Sequence, residues 1–308
     1  MKRSLAVIVA IAALLPVVGA AQPAAADTTT PIIFLHGFVL GAPCPGINAR
    51  GQALGLIAEL AERGYTGPVV GAEYFACDSQ GETIQQSGVR GAYFESGEWT
   101  NNQSWGEYRG NTNSTDLRHI AYQLAWWTYD NYSSKGKHVS FVGYSMGGLI
   151  ARWALYQIAA RNPLFPPYLY VDKAATISTP HRGLTPDLQY PVWCGTSIQC
   201  TQMKAKSTFL NELNSGLGLN PQGTGGTTWT VLGSARCDIM TPDQSTNMGP
   251  VHKVIFNGAK PYCYSHTSYL QDRSDLRDFP VLVQRPTDPK PVAGLGLHSL
   301  ATVAEALR

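Results

Sequence analysis

The pentapeptide Gly143-Tyr144-Ser145-Met146-Gly147 constrains this chain more than any other stretch, because of what flanks it. Residues 138–142 (HVSFV) are a short β-branched run that reads as a buried strand, and residues 148–156 (GLIARWALY) read as a helix. A serine on so abrupt a strand-to-helix turn is held in a strained backbone. Glycines two residues to either side remove Cβ atoms that would clash, and the hydroxyl stands clear of the sheet above a helix N-terminus. The pentapeptide alone recurs by chance in a chain with 31 glycines, and the strand and helix around it make it specific. The alternative is a glycine-rich turn with a bystander serine.

Residues 1–26 read as a secretory signal peptide. Lys2 and Arg3 precede an apolar run over 5–20, and Ala24-Ala25-Ala26 places the expected cut before Asp27. A membrane anchor is the competing reading. The run is short, Pro16 interrupts it and a polar Asp27-Thr28-Thr29-Thr30 tail follows, all of which favour cleavage and a secreted, extracellular product. No later segment is apolar for the length a bilayer requires, so no stable membrane insertion is expected. Residues 27–308 suffice for one α/β domain with a full core. Without Lys2 and Arg3 the basic and acidic residues balance, and nothing points to a nucleic-acid partner. A charged fraction of 14% leaves neutral Asn, Gln, Ser and Thr to cover much of the surface, which suits an exported protein. The expected assembly state is a monomer.

Short apolar strands are expected at 31–35 (PIIFL), 68–74, 138–142, 172–178, 228–233 and 253–256. Helices are expected at 52–63, with Leu54, Ile57, Ala58 and Ala61 on its buried face, and at 116–132, capped by Ser114 or Thr115, with Ile120, Leu124 and Trp127 inward. A further helix follows Ser145, and another closes the chain at 299–307. Alternation of strand and helix argues for a predominantly parallel sheet covered by helices on both faces. Right-handed crossovers place every loop of interest at one edge of it. Two segments break the alternation. Residues 76–113 are long and polar, yet carry Tyr93, Phe94, Trp99, Trp105 and Tyr108, and read either as a substrate-contacting loop or as a surface loop pinned by a disulfide. Residues 185–226 offer room for a cap, with a moderately apolar helix near 203–213.

Six cysteines, Cys44, Cys77, Cys194, Cys200, Cys237 and Cys263, imply disulfides in an exported chain. No C-x-x-C pair is present, and no metal or other cofactor is expected. Spacing alone leaves the pairing open, and the expected topology favours Cys44–Cys77, Cys194–Cys200 and Cys237–Cys263.

A serine needs a base to become a nucleophile near neutral pH, and the base needs a partner that fixes its tautomer. His266 is the candidate base, in a loop after the 253–256 strand, with His298 its competitor; His252 begins that strand, at the wrong edge. Asp238, beyond the 228–233 strand, is the candidate acid, with Asp243 the alternative. A Cys237–Cys263 bridge would tie the acid's neighbour to a point three residues before the base. The backbone N–H groups of Met146 and Phe38 are the candidate oxyanion donors, since His36-Gly37-Phe38 leaves the first strand beside the elbow.

Together these residues resemble the α/β-hydrolase superfamily, and within it the secreted bacterial lipases and esterases. The matching blocks are Ile33-Phe34-Leu35-His36-Gly37-Phe38, Gly143-Tyr144-Ser145-Met146-Gly147-Gly148, Ser178-Thr179-Pro180-His181-Arg182-Gly183 and the loop from Asp238 to Pro242. Tyr144 stands where many bacterial lipases have His, a departure expected to leave the mechanism untouched, and His181 is read as packing beneath the site. The resemblance implies a serine hydrolase that cleaves carboxylic esters with an apolar acyl group through an acyl-enzyme. A polyester depolymerase or an acyltransferase would use the same triad. A different class, a non-catalytic protein gripping a glycan through Trp99 and Trp105, would keep only the fold.

Overall fold

The computed structural model describes residues 27–38, 46–85, 92–95, 98–101, 111–185, 197–271, 273 and 275–308. Strands β1 (Ile32–Leu35), β2 (Val69–Glu73), β3 (Glu82–Thr83), β6 (Val139–Tyr144), β7 (Val171–Ile177), β8 (Thr228–Ser234), β9 (His252–Phe256), β10 (Phe279–Gln284) and β11 (Val292–Gly296) form one sheet. Its order is β3-β2-β1-β6-β7-β8-β9-β10-β11. Neighbours from β3 to β9 are parallel, while β10 and β11 add an antiparallel end. Strands β4 (Ala92–Glu95) and β5 (Glu98–Asn101) pair separately and antiparallel.

The inner strands are apolar on both sides because helices cover both faces. Ile32, Phe34, Val142 and Leu232 lie in a cluster with Leu56 and Leu60 of α1 (Ala49–Glu62) and Leu300 and Val303 of α7 (Ser299–Leu307). Their alternating neighbours Ile33, Leu35, Phe141 and Val231 join a second cluster on the opposite face, with α2 (Leu117–Asn131) and α3 (Met146–Ala159). Each such fully buried Ile, Leu or Phe contributes about 1.5–3 kcal/mol. The chain travels outward from β1 to β2 and β3, then returns to lay β6 on the other side of β1. The carboxyl ends of β1 and β6 therefore flank the point where the winding reverses, the crevice in which open α/β sheets bind ligands.

Several details depart from the sequence reading. α1 buries Ala53, Leu56 and Leu60, and Leu54 is 57% exposed. Two apolar stripes one residue apart were open to this helix, and packing against α7 selects the one that periodicity did not favour. The cap of α2 is Asp116, whose carboxylate accepts from the Arg118 N–H at 2.8 Å, in place of Ser114 or Thr115. The 76–113 segment is not irregular throughout: it contributes β3 to the main sheet and carries the β4–β5 pair, where Phe94 is in register with Trp99, as aromatic β-formers allow. Trp105 and Tyr108 lie outside the described residues. The 203–213 segment is split between α4 (Ile198–Met203) and α5 (Thr208–Leu213). Met203, Phe209, Leu210 and Leu213 are buried, and Phe209 stacks on Trp153 at 4.9 Å, so these helices belong to the core and not to a hinged cap. The antiparallel β10 and β11 had no counterpart in the expected elements.

Cys237 and Cys263 are joined, with Cα atoms 5.7 Å apart. Cys77 and Cys200 are also disulfide-bonded. Cys44 and Cys194 lie outside the described residues, as does the 1–26 segment. Among the described residues no helix is long and apolar enough to cross a membrane.

Candidate active site

Ser145 is the hinge between β6 and α3, with φ 51° and ψ −123°. Such a conformation in a residue with a Cβ costs of order 1–3 kcal/mol, held here by the packed elements on either side. Its N–H donates to Ile177 O at 2.8 Å, which anchors the bend to β7. The turn after β1 presses against it: a Cβ added to Gly37 would lie 3.0 Å from Ser145 Cβ. Phe38 follows directly in the chain, and Met146, next after Ser145, begins α3.

His266 and Asp238 come to the same edge. Ser145 Oγ lies 3.0 Å from His266 Nε2, and His266 Nδ1 lies 3.3 Å from Asp238 Oδ1. The Asp238 side chain is fully buried, whereas His266 retains 21% exposure. The carboxylate is saturated with donors. Tyr269 Oη donates to Oδ2 at 2.9 Å, Ser178 Oγ donates to Oδ2 at 2.5 Å and the Met240 N–H donates to Oδ1 at 3.3 Å. Burial, reinforced by the Asp238 charge, holds the Tyr269 phenol well above its ordinary range, so it stays a donor. The Cys237–Cys263 bond ties the acid loop to the base loop, as the expected pairing had it.

The competing residues are engaged elsewhere. His298 caps α7, with Nδ1 accepting from the Ala301 N–H at 3.5 Å, and its Nε2 faces the buried Glu59 at 3.2 Å. Asp243 lies in α6 (Pro242–Thr246) and accepts from Asn247 at 2.8 Å. His181 is fully buried, 2.9 Å from Thr176 Oγ1. Burial and the charges of Arg152, Arg182 and Lys253 hold it neutral, in keeping with a packing role. His252 begins β9, at the opposite edge.

Three contacts were not anticipated. Tyr144 Oη donates to the His266 carbonyl at 2.6 Å, so the residue before Ser145 grips the backbone of the candidate base. Tyr269 and Ser178 both hold the acid. Ser178 opens the 178–183 block that also holds His181, and nothing local in that block marks its hydroxyl. Its N–H extends the ladder to Leu232 O at 2.9 Å, while its φ of 47° bends the chain out of β7. Among the described residues no group of three or more His, Cys, Asp and Glu side chains is placed to hold a metal ion.

The parallel sheet, the elbow at a winding reversal and the chain order serine, carboxylate, histidine are the marks of the α/β-hydrolase fold. Residues 107–227 match the model of a family described as "Putative serine esterase (DUF676)". The matched stretch holds Ser145 and Ser178 and ends before Asp238 and His266. No curated protein matches the sequence. Among solved structures the chain is similar to lipase B of Aspergillus fumigatus, at 16% identity over 80% of this chain and 52% of that one, with a TM-score of 0.43. It is similar to the mature form of a Bacillus licheniformis lipase, at 18% identity over 70% and 71% of the two chains, with a TM-score of 0.38. A Pyrobaculum calidifontis esterase gives 12% identity over 92% and 78%, with a TM-score of 0.45. The chain spans about half the length of the Aspergillus protein.

Proposed function

We propose that this protein is a serine hydrolase of carboxylic esters, a lipase or lipase-like esterase, working through an acyl-enzyme. The observation that carries the reading is the aligned array of Ser145 Oγ, His266 Nε2 at 3.0 Å, and the buried Asp238 behind Nδ1. In this reading Ser145 Oγ attacks the ester carbonyl carbon as His266 Nε2 takes its proton. The carbonyl oxygen becomes an oxyanion met by the Met146 and Phe38 N–H groups. The tetrahedral adduct collapses, His266 gives the proton to the departing alkoxide, and the acyl group remains on Ser145. Water, deprotonated by the same imidazole, then releases the acid and regenerates the hydroxyl. Asp238 stays ionised, keeps the proton of the free base on Nδ1 and supports the imidazolium. The family match over the elbow supports an esterase.

An ester with an apolar acyl group is the proposed substrate, supported by the aromatic 76–113 segment leaving the carboxyl end of β2. Export is part of the same proposal, and the Cys237–Cys263 bond supports it. The test is turnover of graded p-nitrophenyl esters together with labelling by a fluorophosphonate probe. Both are expected in the native chain, and Ser145→Ala should lose labelling and at least about 10⁴-fold in kcat. Native protein that neither labels nor turns over any ester overturns the reading. Emulsified triglyceride, polyester film and an alcohol acceptor distinguish lipase, depolymerase and acyltransferase.

A further inference from the structure

We propose that Ser178 is a positioning residue of the acid–base array, through which Asp238 holds His266; the inference rests on the roles of Ser145, His266 and Asp238 given above. Two acceptors compete for the His266 Nδ1–H. Asp238 Oδ1 stands at 3.3 Å, beyond the 2.7–3.2 Å usual for N–H···O bonds, while Ser178 Oγ stands at 2.9 Å, at the centre of that range. The shorter link between base and acid therefore passes through a hydroxyl.

The donor inventory fixes its direction. An ionised carboxylate only accepts, and a serine hydroxyl carries one hydrogen. The Ser178 O–H is therefore donated to Asp238 Oδ2 at 2.5 Å, leaving its lone pairs for the Nδ1–H. This chain puts the imidazole proton on Nδ1 and the free lone pair of Nε2 toward Ser145 Oγ, the tautomer that a general base requires. When His266 takes the Ser145 proton on Nε2, the Nδ1 proton stays where it is. The positive charge is met by a hydroxyl already polarised by a buried carboxylate. No bond is made or broken at Ser178.

A hydroxyl present only to satisfy Asp238 would not need to meet the imidazole. Asp238 Oδ2 already has the Tyr269 phenol at 2.9 Å. Ser178 is fully buried and adopts φ 47°, a region that glycine enters freely and serine does not. The backbone is held there by its N–H on Leu232 O, and the bend carries Oγ to the gap between acid and base. The groups facing His266 are Asp238, Ser178 and Ser145 at its ring nitrogens and the Tyr144 phenol at its carbonyl.

The experiment compares native chain with Ser178→Ala, which removes only the hydroxyl, and Ser178→Gly, which also relieves the backbone. The readouts are kcat and KM on p-nitrophenyl butyrate, the pH profile of kcat/KM and the melting temperature. Both variants are expected to lose about 10- to 100-fold in kcat, with KM within about twofold. The acidic limb of the profile should move to lower pH, because an imidazolium deprived of an acceptor is less favoured. In Asp238→Asn, adding Ser178→Ala should cost little more, since both act through one hydrogen-bond chain. Folded Ser178 variants with native kcat and an unmoved profile overturn the proposal, as does full additivity with Asp238→Asn. Should neither variant fold, a high-resolution crystal structure of native protein decides: Oγ within hydrogen-bond distance of both Nδ1 and Oδ2 upholds the proposal, and Oγ outside reach of Nδ1 refutes it. Ser145→Ala and His266→Ala run alongside. If they retain turnover, the hydrolase reading itself fails; if they abolish it while Ser178→Ala is neutral, only Ser178 loses its role.

Discussion

Gly147→Ala probes how the elbow helix and the oxyanion turn are built against each other. Gly147 is the second residue of α3, and an added Cβ would sit 2.3 Å from Leu35 O and 2.7 Å from His36 O. Ordinary contact begins near 3.4 Å, so the clash is about 1 Å deep and falls on backbone that cannot rotate away. Either the N-terminus of α3 lifts off β1, or the His36-Gly37-Phe38 turn is pushed outward. Overpacking of this kind costs about 1–3 kcal/mol, offset in part by the better helix propensity of Ala. A net loss of about 1–2 kcal/mol corresponds to a fall of about 2–8 °C in melting temperature for a chain of this size. Activity should suffer more than stability. On the proposed mechanism, in which the Met146 and Phe38 N–H groups meet the oxyanion, a displacement of about 1 Å would misplace both donors, a fault worth about 10²-fold in kcat. Calorimetry and p-nitrophenyl butyrate turnover measure the two effects together, and Gly294→Ala is the control, since a Cβ there meets open space. A Gly147→Ala protein with native melting temperature and native kcat would refute the tight apposition of α3 and the β1 turn.

Asp238→Asn should lower kcat at least about 10³-fold, whereas Asp243→Asn should stay within about threefold; the reverse ranking in steady-state assays would make Asp243 the acid. Tyr144→Phe removes the bond to the His266 carbonyl and should cost about 1 kcal/mol in urea unfolding and about 3- to 30-fold in kcat; unchanged kcat would uphold the expectation that this position is indifferent to mechanism. Reduction of Cys237–Cys263 frees the acid loop from the base loop, so dithiothreitol should abolish turnover while far-ultraviolet circular dichroism is still native; simultaneous loss of both would contradict this. Acid stability depends on two buried imidazoles: burial lowers His119 to about 3, and burial with nearby cations holds His181 well below its usual value. The unfolded chain takes up protons below about 6.5 while these folded sites do not. Stability from this source is therefore complete above about 6.5 and falls as pH drops, by about 1.4 kcal/mol per pH unit for each histidine. A His119→Gln variant should show a shallower decline of its urea midpoint between about pH 6 and 4, and an unaltered slope would sink the idea.

What could be read in the chain divides by range. The strands β1, β2, β6, β7, β8 and β9 and the terminal helix lie within a residue or two of their expected bounds, because each carries a short cluster of apolar or β-branched residues bounded by Gly, Pro or polar residues. The elbow was equally legible, since the strain at Ser145 and the residues that permit it are neighbours in sequence. Misreadings begin where a choice is made by something distant. The stripes through Leu54 and Leu56 both suit α1, and α7, more than two hundred residues later, selects Leu56 over the Leu54 stripe that periodicity favours. β10 pairs antiparallel with β9, and β11 in turn with β10, so both are fixed by ladder pairing and not by an apolar pattern of their own.

The site repeats this division within a few ångströms. Ser145, Asp238 and His266 could be nominated because acyl transfer demands a nucleophile, a base and an orienting acid in a known chain order. No such demand names Tyr144, Tyr269 or Ser178. Their hydroxyls are ordinary in composition and become specific only when strands far apart in sequence end side by side. Ser178 is 60 residues from Asp238 and 88 from His266, and Tyr144 is 122 residues from the carbonyl it holds. The chemistry of such a site is thus local and readable, while its precision is non-local. It resides in hydroxyls that the sheet delivers to one edge, and substitutions there should alter rate and pH dependence well before they alter the fold.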